Sequence, residues 1–284
     1  MRREAAGDRI LRCGAFVLDL SRPLVMGVIN VTPDSFSDGG KFLAATAAIE
    51  HAHLLIEEGA DILDVGGEST RPGADPVGID EELRRVVPII EALRGNNIPI
   101  SIDTMKPEVM KAAIQAGASM VNDVNALRAE GALEICASSA VGVCLMHMQG
   151  APRSMQLEPT YVDVVAEVKN FLVERAQACE RAGISKERIV IDPGFGFGKN
   201  REHNLTLLRR LKEFRETGYA LLVGLSRKSV LGKITGQEVI SRTPASVAAA
   251  LLAVQNGAQI VRVHDVRATK DALAILHALN QTSN

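Results

Sequence analysis

The sequence predicts a (β/α)8 TIM barrel with a short N-terminal β-hairpin closing its bottom. Three observations predict it. Eight short apolar runs, rich in β-branched residues, alternate with eight amphipathic segments along the 284 residues. The runs are continuously apolar rather than alternating, as expected of parallel strands covered on both faces. Eight such repeats in a chain near 250 residues suit a closed barrel, with a doubly wound open sheet as the runner-up. No linker-like shift of composition interrupts the chain, so one domain is expected over 1–284, with the barrel proper at about 23–280.

The segment Ile10–Leu20 reads as the hairpin. The first strand is expected at Leu24–Asn30, followed by a helix over Ala44–Glu58. Strands at Ile62–Gly66, Ile98–Asp103 and Met120–Val124 lead into helices at Asp80–Leu93, Pro107–Ala116 and Gly131–Ser138. Strands at Gly142–Met148 and Ile189–Asp192 lead into Val162–Ala182 and Glu202–Glu216. The last two, Ala220–Leu225 and Gln259–His264, precede Pro244–Asn256 and Val266–Leu279. Helix stops support this register: Gly59, Gly117, Gly183 and Gly257 each follow an apolar helical face, where a left-handed C-terminal residue is needed. Pro107 and Pro244 stand where first-turn prolines are tolerated. The two longest structureless stretches, Val31–Lys41 and Glu68–Gly78, are rich in Gly, Pro, Ser and Asp, the signature of functional loops.

Composition excludes several classes. A hydrophobic fraction of 46% supports a sizeable core, and a formal charge of −2 gives no field for nucleic acid or an anionic membrane. No stretch approaches the roughly 18 apolar residues that span a bilayer. Cys13, Cys136, Cys144 and Cys179 form no CxxC and no zinc spacing, so they read as reduced, buried thiols. The charged N-terminus lacks an apolar signal core, and a cytoplasmic location is expected.

Chemistry in such a barrel sits at the C-terminal strand ends, and polar residues collect there. Asn30 ends strand one, and strand two runs into Glu68, Thr70 and Arg71. Asp103, Asn122, Asp123, His147 and Asp192 follow on strands three to six. Strand seven runs into Ser226, Arg227, Lys228 and Ser229, and strand eight carries Arg262, His264 and Asp265. Residues two apart in a strand share a face. Arg262 and His264 therefore point into the mouth while Val261 and Val263 pack on helices, and Ser101 and Asp103 likewise oppose Ile100 and Ile102. One inward Asp is more often a satisfied structural group; eight strand ends so decorated point to a ligand. Arg71, Lys228, Arg262 and His264, with Asn30 and Thr70, suit a phosphate or diphosphate. Asp103, Asn122 and Asp192 suit a flat ligand with several N–H donors. Blander readings stand beside these. His147 is as well explained by structure as by ligand contact. The run Asp192-Pro-Gly-Phe-Gly-Phe-Gly-Lys199 lacks the GxGxxG spacing of a dinucleotide loop.

Several longer motifs are specific. Met26-Gly-Val-Ile-Asn-Val-Thr-Pro-Asp-Ser-Phe-Ser-Asp38 and Asp64-Val-Gly-Gly-Glu-Ser-Thr-Arg-Pro-Gly73 resemble the first two signatures of dihydropteroate synthases. Ser101-Ile-Asp-Thr104, Asn122-Asp123, His147-Met-Gln-Gly150, the Asp192–Lys199 run, Gly224-Leu-Ser-Arg-Lys-Ser229 and Arg262-Val-His-Asp-Val266 are similar to the remaining ones, in order, from about residue 10 to 280. The resemblance implies condensation of 6-hydroxymethyl-7,8-dihydropterin diphosphate with 4-aminobenzoate. It implies that Asp103, Asn122, Asp192, Lys228 and Arg262 hold the pterin. Asn30, Thr70, Arg71, Arg262 and His264 would hold the diphosphate, with Mg2+ as cofactor on Asn30. Phe36, Pro72, Phe197, Lys228 and Ser229 would receive 4-aminobenzoate. Asp103, Lys228, Arg262, Asp38 and Arg71 would carry the catalysis, the last two on loops that close over the site. The family also implies a homodimer with late helices at its interface. Two rivals are a pterin-binding methyltransferase domain and a non-catalytic pterin-binding homologue; neither has a use for the diphosphate grip.

Overall fold

The computed structural model describes residues 10–31, 41–69, 75–150, 155 and 158–281, without the side chains of 41–44. Strands β1 (Ile10–Cys13) and β2 (Phe16–Asp19) form an antiparallel hairpin. The barrel strands are β3 (Leu24–Asn30), β4 (Ile62–Gly66), β5 (Ile100–Asp103), β6 (Met120–Asp123), β7 (Gly142–Met146), β8 (Ile189–Asp192), β9 (Ala220–Val223) and β10 (Ile260–Val263). They close in the order β10-β3-β4-β5-β6-β7-β8-β9, every neighbour parallel. The intervening helices are α1 (Lys41–Glu57), α2 (Ile79–Leu93), α3 (Pro107–Ala116), α4 (Ala132–Ala137), α5 (Val164–Arg181), α6 (Arg201–Arg209), α7 (Lys212–Arg215), α8 (Ser229–Thr235), α9 (Thr243–Gln255) and α10 (Val266–Gln281). Among the described residues no helix is long and apolar enough to cross a membrane.

Strand parity divides the core in two. Val25, Ile29, Leu63, Val65, Ile100, Ile102, Val121, Val143, Ile189, Val261 and Val263 face outward into one cluster with the helices. Leu24, Met26, Ile62, Met120, Cys144, Val190, Leu222 and Ile260 face inward and fill the lower barrel together with Leu11 and Cys13 of the hairpin. Burying each such aliphatic side chain is worth about 1.5–3 kcal/mol, so the hairpin is held mainly by its contribution to this layer. The expected plug is therefore observed. Gly142 makes room for it: a Cβ there would stand 2.8 Å from Cys13 Sγ and 3.1 Å from the Arg12 carbonyl oxygen. The Gly14 N–H also donates to the Ala140 carbonyl at 2.9 Å.

The four helix-stop glycines adopt φ between 92° and 125°. Two helices differ from expectation. The helix expected over Glu202–Glu216 is broken into α6 and α7, because Arg210 leaves helical dihedrals at φ −100°, ψ 18°. Helix α8 was not anticipated, since Gly232 weakens its helical pattern. The absent side chain there leaves space that the Arg242 guanidinium fills. Arg242 donates to the Arg227 carbonyl at 3.0 Å and to the Gln237 carbonyl at 2.9 Å, fixing α8 beside the barrel mouth.

Candidate active site

Above the apolar lower layer the inward positions become polar. Strands β4, β5, β6, β8 and β10 supply Asp64, Ser101 and Asp103, Asn122, Asp192, and Arg262. Arg262 joins three of these elements. Its Nε donates to Asp64 Oδ2 at 2.6 Å and its Nη2 to Asp103 Oδ2 at 2.7 Å. Asn122 Nδ2 donates to the same Asp64 oxygen at 3.1 Å. Asp64 is fully buried, and among the described residues its Oδ1 and the Ser101 hydroxyl have no hydrogen-bond partner. Buried charges of this kind persist only when paired. Burial works against the Arg262 charge, yet Asp64 and Asp103 hold its guanidinium more basic than usual. Burial pushes the Asp103 carboxyl up to about 7 against the pull of Arg262, with Asp64, Asp123 and Glu82 adding to the rise.

Beside this cluster lies Asp192, 5% exposed. Its Oδ1 accepts from the Gly194 N–H at 2.8 Å. Burial raises its carboxyl, while Lys228, the Gly194 N–H, Lys199 and Arg262 oppose the rise. The Lys228 ammonium donates to the Phe195 carbonyl and stands 4.6 Å from the centre of the Phe197 ring. Burial lowers Lys228 to about 8, with Asp192 partly offsetting it. Gly224 leaves the space between Lys228 and Arg262 clear; a Cβ there would lie 3.7 Å from Arg262 Cβ and 4.0 Å from Lys228 Nζ. Phe197 packs beside Met105, Val124, Met146, Met148 and Met155, a soft apolar wall suited to a flat ring.

The remaining sequence candidates divide. Asn30 ends β3 and His264 lies just past the end of the adjacent β10, both at the mouth, and Ser229 opens α8 with its side chain exposed. Phe36, Asp38, Thr70, Arg71 and Pro72 lie outside the described residues. Asp123 faces outward and is structural, accepting from the Asn125 and Leu127 N–H groups at 2.7 Å each. Arg227, at φ 58°, pairs with Asp265 at 2.6 Å instead of entering the mouth. Glu68 accepts from the Val77 N–H at 3.0 Å and pairs with Lys106, which also pairs with the buried Glu82. His147 is a structural partner of Lys199: the buried Lys199 Nζ lies 2.9 Å from His147 Nδ1 and donates to the carbonyls of His147 and Phe197 at 3.3 and 2.9 Å. Burial and then Lys199 drive the imidazole down to about 3, so it is neutral.

Sequence reasoning missed Asp64 and Lys199. The same parity that placed Arg262 could have found Asp64, since Ile62, Asp64 and Gly66 alternate inward. Nothing local distinguishes Lys199 from a surface lysine after a glycine loop. The methionine wall was missed as well, because it is assembled from four separate segments. Among the described residues no group of three or more His, Cys, Asp or Glu could hold a metal ion.

Fold and site together define a class: a parallel-barrel enzyme whose mouth sets carboxylates and an amide beside an arginine and a lysine. Comparison with known proteins narrows it. The family described as "Pterin binding enzyme" matches residues 26–264. The dihydropteroate synthase of Escherichia coli (strain K12) is 51% identical over 262 residues, covering 92% of this chain and 93% of that protein. A structure of Xanthomonas albilineans dihydropteroate synthase with 4-aminobenzoic acid superposes with a TM-score of 0.91 at 55% identity, covering 96% of this chain and 98% of that one. Burkholderia cenocepacia dihydropteroate synthase complexed with 7,8-dihydropteroate gives 0.89 at 50% identity, over 96% and 97% of the two chains. The chain belongs to the dihydropteroate synthase family.

Proposed function

We propose that this enzyme condenses 6-hydroxymethyl-7,8-dihydropterin diphosphate with 4-aminobenzoate, releasing 7,8-dihydropteroate and diphosphate in folate synthesis, by way of a pterin cation. The observation that carries this reading is the Asp64–Arg262–Asp103 bridge set beside Asn122, Asp192 and Lys228. In that reading the Asp192 carboxylate accepts from the pterin 2-amino and N3–H groups, with Asn122 and Asp103 beside it. Lys228 donates to the pterin carbonyl. Arg262, already fixed by two carboxylates, stacks on the pterin plane and helps to hold the diphosphate with His264 and Asn30. Loss of diphosphate leaves positive charge on the pterin, and the Asp103 carboxylate stabilises it electrostatically. The aniline nitrogen of 4-aminobenzoate, lodged near Phe197, Lys228 and Ser229, then attacks the exocyclic carbon. Phe36, Pro72, Asp38, Thr70 and Arg71 join this reading from outside the described residues.

Asn30 fits Mg2+ as a single neutral oxygen donor at the mouth. Mg2+ takes oxygen ligands and typically draws several of them from phosphates and water, so one protein oxygen can suffice. When bound, the ion supplies charge neutralisation to the departing diphosphate. A homodimer and a cytoplasmic location complete the reading. The first is supported by Leu252 of α9 and Ile275 and Leu279 of α10, which are 49%, 66% and 63% exposed. The second is supported by four free, buried cysteines.

The test mixes purified protein with Mg2+ and both substrates and follows diphosphate and dihydropteroate. Product should require every component and disappear in Lys228→Ala. Pterin binding without product would favour the methyltransferase or non-catalytic reading, and methyl-tetrahydrofolate would be tried next. Exchange of label between bridging and nonbridging diphosphate oxygens is expected of the cation, and its absence would favour direct displacement. Turnover should also fall as pH drops below about 7, because the carboxyl raised to that value must be ionised to favour the cation. Asp103→Asn should lower turnover about a hundredfold and flatten that acid limb. A limb unchanged in the variant would assign it to another group.

A further inference from the structure

Ser226 lies just beyond β9 and is 7% exposed, while His264 lies just beyond the neighbouring β10. Two contacts join them. The His264 backbone N–H donates to Ser226 Oγ at 3.2 Å, and Ser226 Oγ is 3.0 Å from His264 Nδ1. A hydroxyl has one proton and two lone pairs. The backbone N–H can only donate, so it occupies one lone pair of the oxygen. If the ring also donated from Nδ1, both lone pairs would be filled and the hydroxyl proton would need an acceptor elsewhere. With Oγ–H donating to Nδ1, one hydroxyl satisfies both contacts. The ring proton of the neutral imidazole then sits on Nε2, because the bond made by one ring nitrogen sets the state of the other.

The consequence concerns what His264 offers a ligand. Strand parity sets it on the same face as Arg262, toward the barrel mouth. A ring fixed with its proton on Nε2 presents an N–H donor, whereas the other tautomer would present a lone pair to any anion arriving there.

We propose that Ser226 is a positioning residue that fixes the tautomer of His264, so that a neutral imidazole donates from Nε2 to an oxygen of the substrate's diphosphate. The proposal deepens the function given above and rests on its assignment of His264 to the diphosphate. Ser226 touches no substrate in this scheme and acts only through the ring. Because Gly224 and Arg262 frame the same opening, the donor complements the guanidinium without adding a further full charge to the pocket.

The test uses the full-length protein and three variants, Ser226→Ala, Ser226→Thr and His264→Ala. Nitrogen-15 NMR of the His264 ring, assigned by its loss in His264→Ala, reads the tautomer directly. Wild type and Ser226→Thr should show an unprotonated Nδ1 and a protonated Nε2, and Ser226→Ala should shift both signals toward the values of an exchanging ring. Calorimetry then compares two ligands, dihydropterin diphosphate and 7,8-dihydropteroate, which lacks the diphosphate. Ser226→Ala should weaken the first about tenfold, the size of one hydrogen bond near 1.4 kcal/mol, and leave the second within about twofold. Ser226→Thr should restore the affinity. An Nδ1-protonated ring in the wild type, or a ring signal unmoved in Ser226→Ala, overturns the proposal. Equal weakening of both ligands also overturns it, as a merely structural effect. If His264→Ala leaves the diphosphate ligand unaffected, the assignment of His264 fails first and the proposal with it. If His264→Ala weakens that ligand and Ser226→Ala does not, the proposal alone fails.

Discussion

Arg262→Met is expected to cost the fold about 3–5 kcal/mol, because it strands the buried Asp64 and the part-buried Asp103 at once. Asp64 loses its charged partner at 2.6 Å and Asp103 its partner at 2.7 Å. Asp64 Oδ1 already lacks a hydrogen bond among the described residues, so only the amide of Asn122 would remain on that side chain. The Asp103 carboxyl, already raised by burial, should respond by taking up a proton, and a protonated Asp103 cannot favour a pterin cation. Thermal denaturation and steady-state turnover should therefore fall together. Lowering the pH should recover part of the stability by neutralising the stranded Asp103, but none of the turnover. A variant that keeps wild-type stability would show that water or a shifted side chain replaces the guanidinium, and the bridge would lose its place at the centre of the site.

Asp192→Asn separates function from stability in the opposite sense. Asp192 is nearly buried and its carboxyl is raised by burial, so its ionised form is held at a cost to the fold. An amide of the same shape keeps the acceptor for the Gly194 N–H, which now lies at 2.8 Å. The melting point should hold or rise. Pterin affinity should fall by about two orders of magnitude. Two hydrogen bonds to a charged acceptor, each worth about 1.5–3 kcal/mol, are weakened together, and one amide N–H then faces the ligand's donors. Calorimetry with the dihydropterin and a thermal scan of the same sample check both halves. Unchanged affinity would remove Asp192 from the pterin-reading role.

How much of this was legible in the chain differs by element. Strands β3, β4 and β8 and helix α3 have the limits expected from the sequence. Strands β5, β6, β7, β9 and β10 are shorter than expected. Ile98, Met148 and Leu225 continue the buried pattern past the strand ends, and burial alone cannot show where pairing stops. Inward Arg262 was legible from its alternation with Val261 and Val263. Its partners were not: Asp64 is 198 residues away and Asp103 is 159, and only barrel closure between β10 and β3 brings them within reach. Lys199 was hidden for a related reason. Its burial is a product of how the loop after β8 packs on the end of β7, where the His147 carbonyl accepts its ammonium.

The hairpin that fills the lower barrel has a kinetic meaning. With Leu11 and Cys13 packed beneath the strands, the described residues close the lower end of the barrel and leave the site opening at the C-terminal strand ends. Asn122 and Asp192 sit low in it, whereas Ser229 stands exposed at the rim. Entry from that end predicts an order of events: the ligand on the floor should bind before the one that caps it, and product-inhibition patterns would check this.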